Sequence, residues 1–237
     1  MGNVTNRKFA VITGASSGIG RELARQCAAN GFDVLMCAED TAIHNVASKV
    51  DPRAVAVQAD LARREGIEQL MDAIRNAGRP VDALLLNAGV GVGGRFVDTD
   101  LDSELRMIAL NCMHTVHVAK LVVPAMIARG GGRVLITGSV VSTAPAPYQA
   151  VYGATKAFVM SFAEALRVEV ADSGVTVTTL QPGATDTDFF ARADMLDTKV
   201  GQAEKDDPAL VAKRGFEAMM AGKDSVLGGG FKSRLQG

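Results

Sequence analysis

The segment Val11-Ile12-Thr13-Gly14-Ala15-Ser16-Ser17-Gly18-Ile19-Gly20 decides the fold class. A β-branched apolar run leads into it and a helical pattern over residues 19–30 leads out, so the glycines sit between a strand and a helix. A helix start offers free N–H groups and the positive end of the helix dipole, which together favour a phosphate. Glycine there lets the backbone turn tightly and approach a pyrophosphate closely. The spacing is G-x-x-x-G-x-G and not G-x-G-x-x-G, so the placement carries more weight than the letters. Gly14, Ser16, Ser17, Gly18, Ile19 and Gly20 are on that basis candidate dinucleotide contacts.

The same letters contain G-x-S-x-G, the nucleophile elbow of α/β-hydrolases, which also joins a strand to a helix. A hydrolase of that kind needs an upstream loop for half of its oxyanion hole and a histidine late in the chain. Here residues 1–13 precede the turn and the last histidine is His117, so the dinucleotide turn is preferred.

Outward from the turn, short β-branched runs alternate with longer helical patterns, the signature of βαβ units around a parallel sheet. Strands are expected at residues 9–13, 33–37, 54–58, 83–87, 133–137, 175–181 and, weakly, 225–227. Helices are expected at 19–30, 63–77, 101–126, 148–171 and 208–220, with a weak one at 44–50. Leu101, Leu105, Ile108, Cys112 and Val116 keep the spacing of one buried stripe. Residues 182–207 have no clean period and exceed the usual ~4–6 residue connection, as a functional lid or a disordered segment would. No repeat or Pro/Ser-rich linker divides residues 1–237, so a single domain is expected.

The 237 residues are 48% hydrophobic, with 25 Lys+Arg against 26 Asp+Glu. Disorder is excluded by that apolar content, and nucleic acid as the main ligand by the absence of a basic run. The start has no apolar core of a signal peptide. Cys27, Cys37 and Cys112 are odd in number and lack C-x-x-C spacing, which suits free thiols and a cytoplasmic location. His44, His114 and His117 lack converging partners, so no metal site is expected. Residues 134–163 hold one charge, Lys156. The stretch is too rich in Ser, Thr and Pro to be a membrane span.

That lone ammonium stands in Tyr152-Gly153-Ala154-Thr155-Lys156, at i and i+4 from a phenol on one helix face. In a dry site it would stabilise a phenolate, so the Tyr152 pKa is expected to fall from ~10 and make the phenol a usable acid or base. Ser139 ends the fifth strand, placing its hydroxyl at the carboxyl edge of the sheet, where open α/β sheets bind ligands. Near the end of the second strand, about 20 positions past the glycines, stand Glu39 and Asp40. A carboxylate there accepts from ribose hydroxyls and repels a 2′-phosphate, which favours NAD(H), with NADP(H) still possible. No Lys or Arg precedes Arg21 in the glycine turn, and residues 38–48 contain none.

Thr13-Gly14-x-x-x-Gly18-Ile19-Gly20, Asn87-Ala88-Gly89, Ser139 and Tyr152-x-x-x-Lys156, in this order and spacing, resemble the short-chain dehydrogenase/reductase family. The resemblance runs from the first strand to Pro182-Gly183. It implies one Rossmann domain with a doubly wound, seven-stranded parallel sheet, helices on both faces, and hydride transfer between nicotinamide and an alcohol or ketone. By the same resemblance Tyr152 is the general acid/base, Ser139 orients the substrate oxygen, and Lys156 holds the nicotinamide ribose. Asn111 matches a fourth catalytic residue that holds a water of the proton relay. Asn87 borders the adenosine half of the cofactor, Asp60 and Leu61 contact adenine, and Pro182, Gly183 and Thr187 close over the nicotinamide. Residues 182–207 would shape the substrate pocket, with Phe189, Phe190, Met195 and Leu196 as apolar lining. Assembly as a homodimer or homotetramer through the helices at 101–126 and 148–171 is implied as well. Leu86 stands where the family often has a second Asn, and Ala38 where its NAD-type members commonly carry Asp. A catalytically inactive dinucleotide sensor of the same fold is the alternative, although a sensor has no chemical need for Ser139, Tyr152, Lys156 and Asn111 together.

Overall fold

The computed structural model describes residues 7–189, 193, 202 and 204–229. Within them strands and helices alternate: β1 (Lys8–Thr13), α1 (Gly18–Ala29), β2 (Phe32–Ala38), α2 (Ala42–Val50), β3 (Val55–Gln58), α3 (Arg64–Asn76), β4 (Ala83–Leu86) and α4 (Leu101–Ile108). A π-helical turn, Ala109–Met113, joins α4 to α5 (His114–Ala128). Next come β5 (Gly132–Thr137), α6 (Ala150–Glu169), β6 (Val175–Gln181), α7 (Pro208–Met220) and β7 (Ser225–Leu227). The seven strands form one sheet in the order β3-β2-β1-β4-β5-β6-β7, and every pairing is parallel. This is the parallel sheet expected from the alternating pattern, and the single-domain, doubly wound Rossmann fold that the resemblance implied.

Successive residues of a strand point to opposite faces, and here both faces are covered. Val11, Leu35, Leu84 and Val134 pack with Ile67 of α3, Val118 of α5 and Val159 of α6. Their neighbours Ile12, Met36, Leu85 and Leu135 pack on the other side with Leu23 of α1, Ile43 of α2 and Phe216 of α7. Continuous apolar strands are the consequence of these two cores. The strand order reverses between β1 and β4, which opens a crevice at their carboxyl ends. Both the glycine turn after β1 and Asn87-Ala88-Gly89 after β4 emerge there.

The expectation of one helix over 101–126 with a single buried stripe is corrected. Leu101 is 65% and Leu105 53% exposed, while Glu104 and Met107 are buried. A π turn adds a residue to the helical repeat and rotates the succeeding helix by about 100°. Residues before Ala109–Met113 therefore do not share one stripe with those inside it: Cys112 is buried, but Leu101, Leu105 and Ile108 face outward. The run Leu101–Ala128 is long and apolar enough to cross a membrane, yet 56% of its apolar window is buried inside the fold. Two other boundaries moved. The weak helix at 44–50 is the full α2, anchored by buried Ile43 and Ala47. The helix expected from 148 starts at Ala150, because Tyr148 adopts φ 64, the left-handed region.

Candidate active site

The crevice is one continuous cleft whose walls run from the glycine turn to Tyr152 and Phe189. Glycine is required by contact as well as by conformation. Gly14 has φ +65, and a Cβ there would lie 2.7 Å from Ala88 Cα. A Cβ on Gly20 would lie 2.0 Å from the Gly14 carbonyl oxygen. Ser17, the N-cap of α1, makes no side-chain cap, and the first turn carries no acid. The first N–H groups of α1 are thus left for a ligand, beside Gly14, Ser16, Ser17, Gly18, Ile19 and Gly20 in the cleft wall. This cradle fits a pyrophosphate. Among the described residues no histidine lines the cleft, and Ser16 Oγ donates to Asp40 Oδ2 at 2.6 Å, so the hydrolase elbow finds no support.

Thr13 is fully buried and lies behind the cleft wall. Its Oγ1 accepts from the backbone N–H of Asn87 and of Ala88, both at 3.1 Å. Asn87 in turn donates to the Thr13 and Gly14 carbonyls at 3.3 Å and accepts from Thr137 Oγ1 at 3.1 Å. These bonds tie the carboxyl ends of β1, β4 and β5 together. Asn87, Ala88 and Gly89 border the cleft.

Glu39, Asp40, Asp60 and Leu61 line one end of it. Asp40 is held on both oxygens, by Ser16 and by the Ala42 N–H at 3.1 Å. Sequence reading found no cation at this end, but Arg106 of α4 reaches it. Its Nη1 donates to Asp60 Oδ2 at 2.9 Å and its Nη2 to Asp60 Oδ1 at 3.1 Å and to Glu39 Oε2. Arg106 was missed because it lies 46 residues from Asp60 and 67 from Glu39, beyond any local pattern. Burial raises the Asp60 pKa, but the hydrogen bonds from Arg106 and the Ala62 N–H outweigh it and leave the carboxyl below its ordinary value.

At the other end Ser139, Tyr152 and Lys156 are 8%, 8% and 6% exposed, so three polar groups are kept almost dry in the cleft wall. Ser139 and Tyr152 meet in this wall, where Ser139 favours the ionised phenol. Lys156 Nζ donates to the Thr137 carbonyl at 2.9 Å and lies over the Tyr152 ring, 5.9 Å from its centroid. The expected fall in the Tyr152 pKa is not seen. Burial pushes the phenol up to about 12, opposed only by Ser139. Burial likewise pushes the Lys156 ammonium down to about 8. The ammonium spends its hydrogen bond on Thr137 and faces the ring, so desolvation outweighs its attraction for a phenolate.

Asn111 is 1% exposed in the middle of the π turn and does not line the cleft. Its Nδ2 donates to Val90 O and Thr155 Oγ1, and its Oδ1 accepts from the Val90 N–H, each at 3.0 Å. Thr155 Oγ1 donates to the Tyr152 carbonyl at 2.8 Å, which links the π turn to the Tyr152 helix. Gly89 lets these groups converge: a Cβ there would be 3.1 Å from Asn111 Oδ1 and 3.5 Å from Lys156 Nζ.

Pro182, Gly183 and Thr187 line the cleft, and Thr187 packs against Gly18 across it. Phe189 closes on Tyr152, ring centroids 5.3 Å apart, and stacks over Gly91. Phe190, Met195 and Leu196 lie outside the described residues. Sequence reading also missed Val90, Gly91, Val140, Val141 and Gln149 in the wall, since they flank motifs and have no spacing of their own. Tyr148 was missed too: its left-handed backbone presents the carbonyl to the Gly94 N–H at 2.8 Å, pinning the loop after β4 beside α6.

A family model described as short chain dehydrogenase matches residues 8–195. The oxidoreductase UcpA of Salmonella typhimurium is 31% identical over 215 residues, 89% of this chain and 79% of that protein. A short-chain dehydrogenase from Sphingobium yanoikuyae, solved with NADPH, superposes with a TM-score of 0.84 at 29% identity, covering 93% of this chain and 87% of that one. The 3-ketoacyl-(acyl-carrier-protein) reductase of Brucella melitensis, solved with NADH, gives 0.83 at 25% identity, covering 94% and 97%.

Proposed function

The chain belongs to the short-chain dehydrogenase family of NAD(P)-dependent oxidoreductases, and from that premise we propose that it transfers hydride between a nicotinamide dinucleotide and a secondary alcohol or ketone, with Tyr152 as general acid/base. The observation that carries this is Ser139 and Tyr152 together in the cleft wall with Lys156 over the phenol ring. Burying three polar groups costs stability that mere dinucleotide binding does not require, which favours an enzyme over a sensor.

When bound, the nicotinamide supplies or accepts the hydride. Gly14 to Gly20 and the start of α1 hold the pyrophosphate, and Glu39 and Asp60 face the adenosine half, favouring NAD(H) through repulsion of a 2′-phosphate. Ser139 Oγ orients the substrate oxygen. Tyr152 Oη gives that oxygen its proton in reduction and takes it back in oxidation. Lys156, besides holding the nicotinamide ribose, stabilises the phenolate left behind, an effect that grows once a bound ligand excludes the remaining water. Asn111 acts through Thr155, keeping α6 in register with the loop after β4.

Among the described residues Lys156 is the one Lys or Arg in the cleft wall, and Val90, Gly91, Val140, Val141 and Phe189 are apolar or small. With Lys156 given to the nicotinamide ribose and Asp188 in the same wall, that lining disfavours an anionic substrate, and residues 182–207 shape it further. The exposed apolar side chains Leu101 and Leu105 of α4 and Phe158 of α6 support assembly as a homodimer or homotetramer through these helices. Three buried free thiols support a reducing, cytoplasmic setting.

Tyr152→Phe tests the chemistry, since it keeps the ring and removes the acid. With an accepted ketone, NADH oxidation at 340 nm is expected to fall by about 10²–10⁴, while dinucleotide binding persists. Turnover at the parent rate would refute the assignment.

A further inference from the structure

Glu39 and Asp40 are adjacent and both line the cleft, yet the fold uses them differently. Asp40 has both oxygens engaged, by Ser16 Oγ and the Ala42 N–H, so it braces the glycine turn against the start of α2. Glu39 has one oxygen, Oε2, taken by Arg106 Nη2, and no hydrogen bond from the described residues reaches Oε1. Arg106 itself is not part of the cleft wall, whereas both carboxylates it grips are.

We propose that Arg106 is the positioning residue of the adenosine end, holding Glu39 so that its free oxygen, and not Asp40, receives the ribose hydroxyls of a nicotinamide dinucleotide. This rests on the dinucleotide-binding function proposed above. The guanidinium matches the task because its planar fork spans Asp60 with Nη1 and Nη2 and still shares Nη2 with Glu39. It thereby joins the carboxyl ends of β2 and β3 to α4. Glu39, Asp40 and Asp60 are three like charges around one crevice, and Arg106 offsets their repulsion together with Arg63, whose Nε lies 3.4 Å from Asp60 Oδ2. Asp60 also accepts from the Ala62 N–H at 3.0 Å, so its carboxylate is anchored and serves as the fixed point from which Arg106 reaches Glu39. A lysine would be a point charge and could not fill both roles.

A double-mutant cycle on the full chain tests this, with NADH and NADPH titrated by fluorescence against the parent, Arg106→Met, Arg106→Lys, Glu39→Gln, Asp40→Asn and Arg106→Met/Glu39→Gln. Arg106→Met is expected to weaken NADH about tenfold, the scale of one charge-assisted hydrogen bond, and Arg106→Lys less. In the Glu39→Gln background the same change should cost no more than about threefold, because the group it positions has lost its charge. Glu39→Gln should narrow the preference for NADH over NADPH, and Asp40→Asn should leave it. An equal loss in both backgrounds, or none from Arg106→Met, would overturn the role of Arg106 and leave the enzymatic assignment standing. A parent that binds neither dinucleotide would overturn both.

Discussion

Lys156 should cost the ligand-free protein stability, and the cost should disappear at high pH. The ammonium is 6% exposed and its pKa drops from 10.5 to about 8 because burial disfavours the charged form. At about 1.4 kcal/mol per pKa unit, that drop corresponds to about 3 kcal/mol. The sign is set by proton binding. Below the folded value both states carry the proton and the folded state bears the whole desolvation cost. Between about pH 8 and 10.5 the folded chain has released the proton while the unfolded chain keeps it, so the cost shrinks as pH rises, and above 10.5 it is gone. Lys156→Met removes this cost but leaves the Thr137 carbonyl without its 2.9 Å donor, a loss of about 1 kcal/mol. The net expectation is a gain of about 2 kcal/mol at pH 7, which raises Tm by roughly 4–8 °C in a domain of this size. Near pH 10 the cost has fallen to about 1 kcal/mol, so the gain should vanish. Thermal unfolding by circular dichroism at both pH values measures the two numbers. A variant no more stable than the parent at pH 7, or equally stabilised at both, would refute the account, and the variant should be inactive in either case.

Two further substitutions probe the frame around the site. Asn111→Ala removes three hydrogen bonds that join the π turn to Val90 and Thr155, and at about 1 kcal/mol each it should cost about 3 kcal/mol in urea unfolding. A loss below about 1 kcal/mol would mean the clamp is idle. Tyr148→Gly relieves a left-handed backbone at a 67% exposed side chain, so it should stabilise by up to about 1 kcal/mol net of the added chain entropy. Unchanged or lower stability would show that the φ of Tyr148 carries no strain.

The alternation of apolar runs and helical patterns pointed to a parallel sheet of seven strands, the last only weakly, because strands such as Phe9 to Ile12 and Ala83 to Leu86 are apolar on both faces and demand cover on both. The glycine turn was legible for a similar reason: a Cβ at Gly14 or Gly20 has nowhere to go, so the requirement is written locally in the residue type. Tyr152 and Lys156 were legible because one helical turn spans their spacing.

The remaining features depend on which distant segments meet. The stripe Leu101, Leu105, Ile108 has good helical spacing, but periodicity cannot say which of two apolar faces the sheet will take, nor that a π turn will rotate the helix at Asn111. The Tyr152 pKa went up because the fold delivers the ammonium to the Thr137 carbonyl and shuts out water, a balance of desolvation against Coulomb attraction that depends on burial and not on spacing. Arg106 carries no motif, and its grip on Glu39 and Asp60 exists only because the fold brings its side chain from α4 within reach of the residues that follow β2 and β3. Local chemistry is encoded residue by residue along the chain. Charge pairing and dryness belong to the three-dimensional arrangement, because both are set by neighbours tens of residues away.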